Sequence, residues 1–305
     1  MAKATQESRQ SFLERIGNLT RSATSLRARI RKGINRAPET VNVEPRPAEP
    51  EKVTREAVAP EGQCLYAIGD IHGRRDLLEQ LIGKIEEDVS ALPETATSRT
   101  LVFLGDYIDR GLQSRDVIEF LLSDRLKSFE RVFLMGNHEE ALLRFLNDVN
   151  FGKQWVRYGG AETLYSYGLA PPNTRASLRS HEAMEAANQA WDKVWTSFRQ
   201  NLPQAHLDFY QSLQHYYVAG DYLFVHAGLR PDVALENQTV RDMLWIRDEF
   251  LEAPQSFDQV VVHGHTPGEA IYRDNRRIGL DTGAFISGKL SAARLFGKDV
   301  SFLTT

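Results

Sequence analysis

Short apolar runs recur between residues 62 and 290, and each stops abruptly at a polar residue. Cys64–Ile68 stops at Gly69-Asp70, Leu101–Leu104 at Gly105-Asp106, and Val132–Met135 at Gly136-Asn137. Tyr222–Val225 stops at His226, and Val260–Val262 at His263-Gly264-His265. Runs this short, rich in Val, Leu and Phe, suit buried strands. Between the first three runs, apolar residues return at helical spacing, which predicts helices over Asp76–Val89, Ser114–Leu122 and Glu139–Val149. The first two runs are each followed by the next at the length of a βαβ unit, so the front half reads as parallel sheet with helices on its faces.

The residues that end the strands carry the chemistry. Asp70, Asp106, Asn137, His226 and His265 finish five strands, and His72 lies two residues beyond Asp70. In open α/β sheets, sites form at the carboxyl ends of strands. A lone Asp after a strand is commonly a helix N-cap. Five strands repeating the device instead converge oxygen and imidazole donors on one edge. The adjoining glycines let the chain turn sharply off each strand, so that short side chains reach inward.

Residues 151–215 interrupt the sheet pattern. Trp155, Tyr158 and Gly159-Gly160 open the segment, and Pro171-Pro172 breaks it. A helix is predicted over 175–199 with Trp191, Trp195 and Phe198 on one side, and another from Pro203 through Leu213. This helical insertion reads either as a lid over the site or as an outer packed layer. Aromatic stripes at that spacing usually face a core.

Composition narrows the class. The chain has 305 residues, 42% hydrophobic and 26% charged, with a net charge of −4. That is an ordinary globular mixture without the basic surplus of a general nucleic-acid binder. No apolar run is long enough to span a bilayer, and the N-terminus has no apolar core of a secretory signal. Cys64 is the sole cysteine, which excludes an internal disulfide and a cysteine-built zinc site. A reducing, cytoplasmic setting is the expectation, with Cys64 as a small buried hydrophobe.

Charge divides the chain. Residues 1–36 hold nine Lys/Arg and two Glu, while 37–61 hold six Glu, three Lys/Arg and five of the twelve prolines. The Pro/Glu stretch reads as a disordered linker, with too little apolar surface to offset the entropy of ordering. In the basic arm, Ile16, Leu19, Ala23, Leu26 and Ile30 fall on one helical face among arginines. Two readings fit: a helix within 12–32 that docks on anionic membrane or a partner, and a solvated basic tail. The catalytic domain is expected over 62–305.

The blocks Gly69-Asp-Ile-His-Gly73, Gly105-Asp-Tyr-Ile-Asp-Arg-Gly111, Gly136-Asn-His-Glu139, His226-Ala-Gly228 and Gly264-His-Thr266 resemble the signature blocks of the phosphoprotein phosphatase family of calcineurin-like metallophosphoesterases. Trp245-Ile-Arg247 is similar to the segment of bacterial and phage members that carries a phosphate-binding arginine. The resemblance covers roughly 62–290. It implies a four-layer α/β/β/α sandwich of mixed sheets with two divalent metals between them. Asp70, His72 and Asp106 are implied for one metal, and Asp106, Asn137, His226 and His265 for the other, so that Asp106 bridges. Such a donor mixture suits Mn²⁺, with Fe or Zn²⁺ as alternatives, over Ca²⁺ or Cu⁺. Two metals about 3.5–4 Å apart activate a bridging water for in-line attack on phosphorus.

By the same resemblance, Arg110 and Arg247 clamp phosphate together with Asn137, a role that guanidinium suits by its planar, permanently charged fork. His138 is the implied general acid and Asp109 the carboxylate that orients it. Leu112 stands where proline is common in the family, which changes the turn beside Arg110. His263 reads as a core histidine, Asp281 as either a turn former or a carboxylate that orients a ligand, and His181, His206 and His215 as non-ligands.

Tyr107 and Glu139 lean the resemblance toward the bacterial serine/threonine protein phosphatase branch, acting on a phosphorylated protein or peptide and not on nucleic acid. The alternative is a hydrolase of dinucleoside polyphosphates of the diadenosine tetraphosphate type, whose related block more often reads Gly-Asn-His-Asp. Phosphotyrosine also stays open as a substrate. A reading from another class is a catalytically silent phosphate-binding module. That reading requires gaps in the donor set, and the sequence has none.

Overall fold

In β1 (Gln63–Ile68), Cys64, Tyr66 and Ile68 join one apolar cluster, whereas Leu65 and Ala67 join another. β2 (Ser98–Phe103) divides in the same way, with Leu101 and Phe103 on one side and Val102 on the other. Successive strand residues point to opposite faces, so this sheet is covered on both sides. The computed structural model describes residues 56–173, 181–253 and 257–305. All of them belong to one compact unit, Thr54–Thr305.

The first sheet has the order β10-β9-β1-β2-β3, where β3 is Glu130–Phe133, β9 is Ser291–Phe296 and β10 is Asp299–Thr304. β1, β2 and β3 run parallel, as the spacing predicts, while β9 and β10 add an antiparallel hairpin at the edge. The crossover helices are α1 (Arg75–Ser90) and α2 (Ser114–Leu122), and α3 (Asn137–Asn147) follows β3. Leu77, Leu78, Leu81, Ile82 and Ile85 of α1 recur at helical spacing and pack against the outer face of the sheet.

The second sheet has the order β4-β5-β6-β8-β7. Its strands are β4 (Tyr216–Ala219), β5 (Tyr222–Val225), β6 (Val260–His263), β7 (Tyr272–Arg273) and β8 (Arg277–Gly279). β5, β6 and β8 are parallel, flanked by antiparallel β4 and β7. Tyr222, Phe224, Val262 and Ile278 meet Leu65, Ala67, Val102 and Leu104 of the first sheet, forming the layer between the sheets. Leu223, Val225 and Val261 face the other way, onto Met243 and Phe250 of two short helices. The result is the expected α/β/β/α sandwich, with a thin outer layer on the second sheet.

The insertion begins with short helical turns over 149–160 and continues as α4 (Ala161–Ser166), α5 (His181–Asn201) and α6 (Gln204–Ser212). Trp191 and Phe198 of α5 are buried against Phe145 of α3, and the Trp195 indole donates to the Phe145 carbonyl. This stripe therefore packs as an outer layer. The predicted helix start at 175–180 lies outside the described residues, as do the basic arm and the linker through residue 55. Residues 56–61 of the stretch read as linker are described. There the Val58 N–H donates to Asp221, and Ala59 is buried and donates to the Gly297 carbonyl. The structured unit thus begins ahead of Gly62. No described helix is long and apolar enough to cross a membrane.

Candidate metal centre and phosphate site

The loops after β2 and β3 touch backbone to backbone. A Cβ on Gly105 would lie 2.6 Å from the Gly136 nitrogen, and one on Gly136 would lie 2.2 Å from Asp106 Oδ1. Only glycine permits that approach, and it brings Asp106, Asn137 and His138 side by side. The loop after β1 is laced to the same place, because the Ile71 and His72 N–H groups donate to the Asp106 carbonyl.

Six non-glycine residues have left-handed backbone among the described residues, and five of them are His72, Asp106, Asp109, Arg110 and His265. Such conformations cost energy and persist only where surroundings over-determine them, commonly at functional sites. Every expected donor is buried: Asp70, His72, Asp106, Asn137, His226 and His265. Two triads lie close enough to share an ion, His72–Asp106–His138 and Asp106–His226–His265, and Asp106 is common to both. His72 Nε2 stands 3.5 Å from Asp106 Oδ2, and His226 Nε2 stands 3.4 Å from Oδ1. Asp70 accepts from the His265 N–H through both carboxylate oxygens, at 3.1 and 3.0 Å.

Whether these residues fit a divalent metal is decided by their lone pairs. His72 Nδ1 donates to the Ile108 carbonyl at 2.9 Å, and His226 Nδ1 to the Leu104 carbonyl at 2.8 Å. Each ring is thereby fixed as the tautomer whose Nε2 lone pair points into the pocket, an arrangement typical of metal-binding histidine. His72 Nε2 and His265 Nε2 are buried with no hydrogen-bond partner. Asn137 Oδ1, an acceptor, lies 2.9 Å from His226 Nε2 and 2.8 Å from His265 Nδ1. With Nδ1 of His226 donating to Leu104, its Nε2 and Asn137 Oδ1 are both acceptors, spaced as neighbouring ligands of one cation.

Electrostatics agrees. Burial, then the Arg110 charge, holds His72 well below the usual imidazole range; burial also lowers His226. Burial and the neighbouring His226 bring His265 down to about 2. Neutral imidazoles are what a metal requires. Burial raises Asp70 far above the carboxylate range, helped by Asp281 and Asp106, and burial pushes Asp281 up to about 6. Crowded buried carboxyls favour a positive ion among them. The donor set fits divalent metal, and Asp106 is the residue common to both triads.

Beside this centre, His138 Nδ1 donates to Asp109 Oδ2 at 2.7 Å, which leaves Nε2 facing Asp106 at 3.9 Å. His138 also falls within a metal-sized triad, and its Nδ1 bond to Asp109 leaves Nε2 free toward the pocket. Asp109 is itself held from the insertion. Trp155 Nε1 donates to its Oδ2 at 2.9 Å, and the Thr163 hydroxyl donates to its Oδ1 at 2.6 Å. Arg110 lies over the Phe285 ring, 5.0 Å from its centroid. Arg247 donates to Thr266 Oγ1 at 3.0 Å, and its charge reaches both His226 and His265.

Other candidates fall into place. His263 is buried at the Gly264 carbonyl and Arg277, outside both triads. Asp281 accepts the Gly283 N–H as a turn former and also presses its charge on Asp70. His206 is buried against the Tyr167 hydroxyl, and neither it, His181 nor His215 belongs to a triad. Leu112 is 65% exposed beside the Arg110 turn. Sequence reasoning passed over Trp155 and Thr163 as site residues; the Trp155 ring opens the insertion, but nothing local marks its partner.

Residues 65–290 match the calcineurin-like phosphoesterases. The chain belongs to that family. Its members are metal-dependent hydrolases of phosphoric esters, which makes this chain a metal-dependent phosphoesterase. It is 28% identical over 246 residues to the asymmetrical bis(5'-nucleosyl)-tetraphosphatase PrpE of Anoxybacillus flavithermus, covering 74% of this chain and 88% of that one. The PrpE of Bacillus subtilis is 26% identical over 242 residues, with the same coverage. A provisionally assigned diadenosine tetraphosphatase of known structure superposes with a TM-score of 0.51 at 20% identity, covering 79% of this chain and 93% of the other, and shares the fold.

These relatives are tetraphosphatases and not specifically the protein phosphatase branch toward which Tyr107 and Glu139 lean, and both side chains are internal. The Glu139 carboxylate is buried and gathers the N–H groups of Asp106, Tyr107, Ile108 and Gly136. The Tyr107 hydroxyl donates to the Leu134 carbonyl at 2.8 Å. Both side chains are buried and hold the loops together from within.

Proposed function

We propose that this phosphoesterase hydrolyses dinucleoside polyphosphates asymmetrically, releasing a nucleoside monophosphate from a diadenosine tetraphosphate-like substrate. The observation that carries the reading is the likeness to PrpE proteins along 88% of their length. A second feature supports it. Trp245, 37% exposed, lies at the rim with its ring centroid 6.1 Å from that of His265, and Tyr158 meets it edge-on. The Trp245 indole is pinned by Glu140 at 2.8 Å. A fixed aromatic face beside the phosphate site suits stacking of a nucleobase.

The residue roles follow the geometry. Asp70, His72, Asp106, Asn137, His226 and His265 hold two divalent ions, with Mn²⁺ proposed and Fe or Zn²⁺ as alternatives. When bound, such a pair activates water and neutralises charge on phosphorus. Arg110 and Arg247 grip phosphate oxygens, with Asn137 alongside. His138, oriented by Asp109, gives its proton to the departing oxygen. Protein phosphatase activity, the reading favoured by Tyr107 and Glu139, rests on two buried side chains that hold the loops together.

Purified protein with Mn²⁺ should be offered diadenosine tetraphosphate, a phosphoserine peptide and a phosphotyrosine peptide in competition, with products resolved by ion-exchange chromatography. The expected result is AMP and ATP, with kcat/KM at least about tenfold above either peptide, a margin of about 1.4 kcal/mol in transition-state binding. A preference for either peptide, or release of two ADP, overturns the proposal.

A further inference from the structure

Trp155, Gly159 and Thr163 are spaced four apart at the start of the insertion, and all three converge on one dipeptide, Asp109-Arg110. Both residues of that dipeptide are left-handed, with φ of 70° and 67°. Trp155 donates to Asp109 Oδ2, the same oxygen that accepts from His138. The Thr163 hydroxyl acts in both directions: it donates to Asp109 Oδ1 and accepts the Asp109 N–H at 3.0 Å. The Gly159 carbonyl accepts the Arg110 N–H at 3.0 Å. Gly159 is itself at φ 112°, and a Cβ there would stand 2.7 Å from Arg110 Cγ and 2.8 Å from its nitrogen. Asp109, Trp155 and Thr163 are fully buried, so these bonds are not shared with solvent.

We propose that this face of the insertion is a brace that sets the acid and the phosphate clamp at once: Trp155 and Thr163 aim His138 through Asp109, and Gly159 seats Arg110. They are positioning residues. The inference rests on His138 acting as the acid and Arg110 as the clamp. The backbone conformation of Asp109-Arg110 is unfavourable for non-glycine residues, and the brace supplies four bonds to the dipeptide, two to the Asp109 carboxylate and two from its backbone N–H groups. Without the Thr163 hydroxyl the Asp109 carboxylate loses a donor and its backbone N–H keeps only the Ser114 hydroxyl, at 3.1 Å, which frees the carboxylate to turn from His138.

The two ends of the brace should fail differently. Thr163→Val keeps the shape and removes the hydroxyl; Thr163→Ser restores it. Trp155→Phe keeps the aromatic core contact and removes the N–H. The full-length, Mn²⁺-loaded protein should be assayed on phenyl phosphate, whose leaving group needs a proton, and on para-nitrophenyl phosphate, whose leaving group does not. Thr163→Val and Trp155→Phe should lose on the order of 10-fold more kcat on phenyl phosphate than on para-nitrophenyl phosphate, within the range seen when outer partners of a site residue are removed. Thr163→Ser should recover the wild-type ratio. Gly159→Ala should leave the ratio near wild type and weaken inhibition by inorganic phosphate about tenfold, through Arg110.

His138→Asn is the reference. If it shows the leaving-group bias and Thr163→Val and Trp155→Phe do not, the brace is wrong while the acid stands. If His138→Asn shows no bias, the acid reading fails and the inference falls with it. A uniform loss on both substrates that tracks a lower Tm, with no rescue by Thr163→Ser, marks a merely structural role and overturns the proposal. If Thr163→Val fails to fold, the ratios from Trp155→Phe and the phosphate inhibition of Gly159→Ala decide it.

Discussion

Of the five left-handed residues in the pocket, His72, Asp106, Asp109 and Arg110 come from the loops after β1 and β2, whereas the second sheet contributes His265. The first-sheet half is cross-tied through its backbone: to the Asp106 carbonyl, to the Glu139 carboxylate and to the helical insertion. The second-sheet half is simpler. There the His265 N–H donates to Asp70, the His226 carbonyl accepts from the Gly264 N–H while its ring donates to Leu104, and the Arg247 guanidinium is held by Thr266. The difference teaches where precision is needed. Strained loops tied at several points hold Asp106, common to both triads, and the His138–Asp109 pair, while the His226 imidazole is carried at a strand end and only has to point inward.

The sharpest way to break this contrast is at Asp106, the residue common to both triads. Asp106→Asn should lower kcat by about 10³-fold or more, since a metal site contributes several kcal/mol and each 1.4 kcal/mol is tenfold. The loss should exceed that of His226→Asn. Kinetics paired with metal analysis check it, and near-normal activity at full metal content would refute the shared-ligand assignment.

Next in size is His138→Asn, which should slow an alkyl phosphate ester by about 10²–10⁴-fold. Para-nitrophenyl phosphate, with its better leaving group, should suffer much less. A pyrophosphate bond, whose departing nucleotide already carries charge well, should fall between. Equal losses across the series would assign His138 to positioning.

The two arginines test the contrast itself. Arg110→Ala, from the tied half, should raise the inhibition constant of phosphate by about 10–100-fold, the value of a charge-assisted hydrogen bond. Arg247→Ala, from the looser half, should cost less, about tenfold or below. If the order reverses, bracing does not determine which arginine carries the phosphate.

Smallest is the effect of removing residues 1–55, which supply none of the donors. Activity on diadenosine tetraphosphate and Tm should both stay close to full length. Extending the cut through residue 61 takes away the Val58 and Ala59 contacts. It should lower Tm by about 2–4 °C for each kcal/mol lost in a domain of this size. Liposome sedimentation of the full chain at low and high salt tests the membrane reading of the arm; binding that ignores salt excludes an electrostatic anchor.

The sequence by itself determined the strands that end in Asp, Asn and His, the α/β/β/α class, and the members of the pocket. Those signals are local: an apolar run, a turn-permitting glycine and a short polar side chain lie within a few residues of one another. Ser114–Leu122 and Tyr222–Val225 coincide with α2 and β5 for the same reason. The β9 strand was not visible, because Ala292 and Ala293 are buried on opposite faces and leave no polar alternation to read. The structural role of Glu139 was not legible, since nothing in its neighbourhood reveals that four amides meet its carboxylate. The ties of Trp155 and Thr163 to Asp109 span 46 and 54 residues. Such contacts form only once the insertion packs on α3, when burial removes water as a competing partner and makes each hydrogen bond between distant residues obligatory.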